Sequence, residues 1–117
     1  MRTLVFAFLT VLALSGTAIG QQTPSPGPIP TNAANPSVIV HIKNYAYAPS
    51  SVTVKLRQSV VWINDDAVAH TATAVNATFD SGNIDTNATF THTFTKAGTY
   101  AYYCAYHTYM KGTVVVK

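Results

Sequence analysis

From Val38 onward, apolar residues recur at every second position. Val38, Val40 and Ile42 alternate with Ile39, His41 and Lys43, and Val52, Val54 and Leu56 alternate with Thr53, Lys55 and Arg57. A period of two puts one set of side chains on a single face of an extended strand, whereas a helix needs a period of about 3.6. Further short runs rich in β-branched and aromatic residues follow at 60–64, 70–75, 89–95, 99–104 and 112–117. Turn-forming clusters separate them: Ala48-Pro49-Ser50, Asn64-Asp65-Asp66, Asp80-Ser81-Gly82-Asn83 and Lys96-Ala97-Gly98. The pattern predicts an all-β fold, an antiparallel β-sandwich of about seven to eight strands without a helix.

The residues before this unit differ in kind. Met1-Arg2 gives a short positive start, residues 4–14 form an uncharged apolar run, and Ala18 and Gly20 are the small residues that a signal peptidase reads. The expectation is a secretory signal over 1–20, with an uncleaved anchor as the alternative; the run is short of the roughly 20 apolar residues that span a bilayer. Residues 21–36, rich in Pro, Thr, Ser and Asn, cannot bury enough surface to offset their ordering entropy and read as an extended tether. The folded domain is then 37–117, exported and not inserted in a membrane once the signal is gone.

Charge narrows the partners. Loss of Arg2 lowers the formal charge from +3 to +2, six Lys and Arg against four Asp, and the six cations are scattered singly along the chain. No basic cluster could follow a phosphate backbone, so nucleic acid is not an expected partner. A domain this small buries only about 60% of its unfolded surface. With one cysteine in the chain it cannot add a disulfide, so either the core is efficient or a metal helps to hold it.

That cysteine sits in "YYCAYHTYMKG", residues 102–112. In extended chain Cys104 and His107 would be about 10 Å apart on opposite faces, so they can share a ligand only if the chain turns. A tight loop ending at Gly112 brings residues three apart to about 5–6 Å, and Cys104, His107 and Met110 can then face one point. Thioether is a poor ligand for zinc, whereas two His, one Cys and a weak axial Met describe a blue-copper electron-transfer site. The candidates for the second histidine are His41, His70 and His92. His41 and His92 lie on the polar faces of regular strands, where a solvated histidine is ordinary; His70 follows a turn at the mouth of a strand, where one end of a sandwich converges. Taken singly, Cys104 would more often be a small buried hydrophobe and Met110 core filling.

The stretches "VVWINDDAVAHTATA", "FDSG", "FTKAGTYAYYCAYHTYM" and "KGTVVV" resemble the cupredoxin family of small blue-copper proteins, with the short Cys-x2-His-x2-Met loop of its amicyanin-like members. The resemblance implies a Greek-key cupredoxin fold over 37–117, one type 1 copper ion held by His70, Cys104, His107 and Met110, Thr71 near the thiolate, and Trp62, Tyr100 and Tyr102 in the core. It also implies a monomeric electron carrier, not an enzyme, in a periplasmic or extracellular location, that exchanges electrons with a donor and an acceptor protein through His107. Ala67, Ala69, Tyr106 and Tyr109 are the expected surroundings of that exit. This sequence departs from the family where Tyr106 and Thr108 replace prolines often found beside the second histidine, and where Thr71 replaces a common Asn.

Two competing readings are weaker. A copper-binding or delivery protein would carry Met- or His-rich clusters, and beyond the signal this chain has only Met110. An enzymatic copper centre would need a second loop cysteine or further histidine clusters. Asn76-Ala77-Thr78 and Asn87-Ala88-Thr89 match glycosylation acceptors.

Overall fold

The computed structural model describes residues 35–117. The expected signal, and the expected tether up to residue 34, lie outside the described residues. Eight strands follow in order: β1 Val38–Lys43, β2 Ala46–Ala48, β3 Ser51–Val54, β4 Ser59–Asn64, β5 Thr73–Ala74, β6 Thr89–Thr93, β7 Gly98–Tyr103 and β8 Lys111–Val116. They form two four-stranded sheets, ordered β2-β1-β4-β6 and β3-β8-β7-β5. None of the described residues forms a helix long and apolar enough to cross a membrane.

The two-residue alternation drives the layering. Val40 and Ile42 of β1 point inward with Val60 and Trp62 of β4, and they meet Val52, Val54, Tyr100, Tyr102, Val114 and Val116 from the other sheet. An aromatic column runs through the middle: Tyr47 packs against Tyr102 with ring centroids 4.6 Å apart, Tyr102 lies edge-on to Trp62 at 5.4 Å, and Trp62 stacks on Phe90 at 5.6 Å. Full burial of a large apolar side chain contributes about 1.5–3 kcal/mol, and this column supplies the efficient core that a small domain without disulfides needs. Trp62, Tyr100 and Tyr102 are core residues, as expected.

Four differences from the sequence reading stand out. Both sheets are mixed, because β1 pairs with β4 and β3 with β8 in parallel, and alternation alone does not reveal the direction of a neighbour. Leu56 leaves its strand for a turn, in which Arg57 takes a φ of 67°, and is exposed. The 70–75 run yields only the two-residue β5, since His70 instead forms an isolated bridge with Ile84. β2 is an addition, paired with β1 through the two-residue turn Asn44-Tyr45.

Candidate metal centre

Three connections meet at one end of the sandwich: the β1–β2 turn, the β4–β5 segment and the β7–β8 loop. Cys104 directly follows β7 and is fully buried. The loop then closes on itself: the N–H of Met110 donates to the carbonyl of His107 at 2.9 Å, and the N–H of Cys104 donates to the carbonyl of Met110 at 3.2 Å. This is the turn that the Cys-x2-His-x2-Met spacing requires, and it leaves Met110 buried in the same core cluster as Cys104.

His70 arrives from the opposite sheet's connection. Its backbone exchanges both hydrogen bonds with Ile84, 3.1 and 2.8 Å, and its ring is fully buried. Nδ1 of His70 and Nδ1 of His107 each stand 3.7 Å from Sγ of Cys104, and the three donor atoms lie within 4.8 Å of one another. A trigonal set with metal–sulfur and metal–nitrogen bonds of about 2.3 and 2.0 Å spaces sulfur and nitrogen by about 3.7 Å. The observed separations match it. A cysteine sulfur and two imidazoles, with Met110 buried and joined through its backbone to Cys104 and His107, offer a donor set that suits copper rather than a hard cation.

The histidine tautomer is set from outside. Nε2–H of His70 donates to Oδ2 of Asp66 at 2.8 Å, so the ring's lone pair is on Nδ1, facing the sulfur. Burial pushes the Asp66 carboxyl up, but the N–H groups of Tyr45 and Asn44 and the His70 ring outweigh it and hold it below its ordinary range. The N–H of Thr71 donates to Sγ of Cys104 at 3.4 Å, and Oγ1 of Thr71 accepts from the N–H of Ala105 at 2.8 Å. Tyr47 hydroxyl donates to the carbonyl of Thr71 at 2.5 Å, and burial pushes its phenol up well beyond the ordinary tyrosine range.

His107 is the only one of the four candidate ligands with appreciable exposure. Around it Tyr106 is 53% exposed and Tyr109 69% exposed, and the ring of Tyr109 is 6.2 Å from that of His107. Ala67 is exposed and Ala69 half-buried in the segment leading to His70, with Val68 exposed between them. His41 and His92 stay apart from this cluster. His41 is exposed and pairs with Asp65 at 2.6 Å, and His92 rests between Phe79 and Phe94.

Two residues of this end were not legible beforehand. Asp66 stands beside Asp65 in a turn-like run, and only the fold reveals which carboxylate turns inward. Tyr45 packs edge-on to both histidines, with centroids 5.4 Å from His70 and 5.0 Å from His107; Asn44-Tyr45 lacks the glycine that usually marks a two-residue hairpin.

A family model described as Cupredoxin-like domain matches residues 4–116. The amicyanin of Paracoccus denitrificans is 33% identical over 89 residues, covering 72% of this chain and 68% of that protein. The plastocyanin of Scenedesmus fuscus is 30% identical over 89 residues, covering 61% of this chain and 86% of that protein. Among solved structures, the reduced Cu(I) form at pH 4 of an amicyanin mutant superposes with a TM-score of 0.66 at 32% identity, over 80% of this chain and 95% of the other.

Proposed function

The chain belongs to the cupredoxin-like family, and from that membership we propose that it is a small exported electron carrier, passing electrons between redox proteins by outer-sphere transfer. The observation that carries this reading is the convergence of Cys104 Sγ with the Nδ1 atoms of His70 and His107 within 4.8 Å, with Met110 buried in the same cluster. In this proposal these four residues hold one copper ion. That ion supplies one-electron chemistry between Cu(II) and Cu(I).

The protein's own residues do the rest. Four protein donors leave no open position for a substrate, which favours transfer over catalysis. Asp66 keeps the Nδ1 lone pair of His70 aimed at the centre, and Thr71 places an N–H against the sulfur, drawing charge from the thiolate. Burial of Cys104, His70 and Met110 keeps water out. His107 is the one candidate ligand that reaches the surface, so an electron enters or leaves at its edge, among Tyr106, Tyr109, Ala67 and Ala69. In this proposal residues 1–20 are the signal, 21–36 the tether, and 37–117 the working domain, a monomer in the periplasm or outside the cell.

The test is the visible spectrum of the domain with Cu(II), repeated on Cys104→Ser. An intense thiolate-to-copper band that reduction bleaches reversibly, and that the variant lacks, is the expected result. A colourless protein that takes up Cu(I) or holds zinc overturns electron transfer in favour of copper delivery or a structural metal.

A further inference from the structure

Tyr45 occupies a place where a bulky side chain is least at home. Asn44 and Tyr45 join β1 to β2 with φ of 53° and 57°, the left-handed pair demanded by a type I′ hairpin turn. Asparagine tolerates this region, and the second position is normally glycine, because any Cβ crowds its own backbone there. A tyrosine held in such a conformation at one end of a candidate site invites a functional account of its ring.

The ring lies against both histidines. Its plane is 89° to that of His70 and 90° to that of His107, and the two imidazole centroids are themselves 5.1 Å apart. The three rings thus form a triangle, with Tyr45 in the edge-to-face geometry that aromatic pairs favour. The turn beneath is anchored twice to one carboxylate: the N–H of Asn44 donates to Oδ1 of Asp66 at 2.7 Å, and the N–H of Tyr45 to Oδ2 at 2.9 Å. The same Oδ2 accepts from His70. Asp66 therefore fixes one imidazole directly and the tyrosine backbone at the same time, and the tyrosine ring carries that constraint on to His107.

We propose that Tyr45 is a positioning residue of the metal centre, whose ring restrains the imidazoles of His70 and His107 and limits their rearrangement during electron exchange. The inference rests on the electron-carrier reading. Neither histidine ring can swing toward the Tyr45 side unless the tyrosine moves, and the tyrosine backbone is held by Asp66. A centre whose ligands move little between oxidation states exchanges electrons quickly, so restraint on the rings serves the proposed function.

Tyr45→Gly removes the ring while supplying the residue that this φ prefers, and Tyr45→Phe keeps the ring; Tyr45→Asn is a second ring-deleted variant that tolerates the same conformation. Relaxation dispersion at the ring Cε1–H groups of His70 and His107, measured on metal-free protein, reads the restraint directly. The expected result is a clear rise in exchange at both rings in Tyr45→Gly and Tyr45→Asn, with Tyr45→Phe close to wild type. On copper-loaded protein, electron self-exchange measured by NMR line broadening should fall by about tenfold in the ring-deleted variants and within about twofold in Tyr45→Phe. Unchanged ring exchange in both ring-deleted variants overturns the proposal, and so does looser ring motion with an unchanged self-exchange rate. Absence of the thiolate-to-copper band in the wild type overturns the carrier reading instead, a failure that the metal-free spectra do not share.

Discussion

The backbone N–H of Thr71 donates to Sγ of Cys104, joining the two segments that would hold the metal. The hydroxyl of the same threonine accepts from the N–H of Ala105, so one residue is bonded on both sides of the cysteine carbonyl. The amicyanin resemblance leads one to expect Asn here. What the geometry asks of the position is a main-chain donor toward sulfur and a side-chain acceptor toward the loop, and a hydroxyl meets the second need as an amide would. Thr71→Val keeps the shape and removes the acceptor, leaving the Ala105 N–H without its partner. It should lower the stability of metal-free protein by about 1 kcal/mol, read as a lower urea midpoint, whereas Thr71→Ser should retain most of it.

Asp66 is the outer partner of His70 and also the anchor of the Asn44-Tyr45 turn. Removing such a partner typically weakens metal affinity by about 10–100-fold. Asp66→Asn should therefore lose affinity for copper on that scale in competition with a chromophoric chelator. Wild-type affinity would mean that the histidine orientation is fixed by packing alone.

Gly112, the second residue of β8, pairs across the sheet with Tyr102 and faces its ring. A Cβ at this position would lie 2.2 Å from Cζ of Tyr102 and 2.4 Å from its hydroxyl oxygen. That ring is itself wedged between Tyr47 and Trp62, so it cannot yield cheaply. Gly112→Ala should cost about 1–3 kcal/mol or more and lower the thermal midpoint by several degrees, about 4–8 °C for each kcal/mol in a domain of this size.

Burial among aromatic rings holds the His92 imidazole below the ordinary histidine range. As pH falls through about 6.5, the unfolded chain takes up this proton before the native ring does. Stability is therefore present above that pH and declines below it, until the native ring also protonates. His92→Gln removes this contribution, so metal-free protein carrying it should lose less stability between about pH 7 and pH 5 than wild type. An unchanged profile would assign the acid sensitivity to other groups.

What could be read beforehand followed from local physics. Alternation in β1 and in residues 52–54 and the β-branched runs of β4 and β8 revealed the strands, because each has one face on the core. The loop spacing pointed to Cys104, His107 and Met110 as candidate ligands, because a turn brings residues three apart together, and the turn before His70 favoured it as a candidate over His41 and His92. What escaped was set by tertiary contact. The parallel pairing of β1 with β4 leaves no mark on either strand, the three-residue β2 is too short to show a period, and the parts played by Asp66 and Tyr45 exist only where separate connections meet.

β8 lies inside its sheet, with β3 on one side and β7 on the other, and its parallel match sets Val54 beside Val116. While the chain is being made, β3 appears early and has no neighbour in its sheet until residues 111–116 have emerged. β5 and β7 can pair beforehand, but β3 joins the layer only once β8 is in place, so the sheet closes in one late event. Proteins built on such distant pairings fold in about milliseconds to seconds rather than microseconds. That delay makes the nascent, unclosed chain the form most in need of protection from its neighbours.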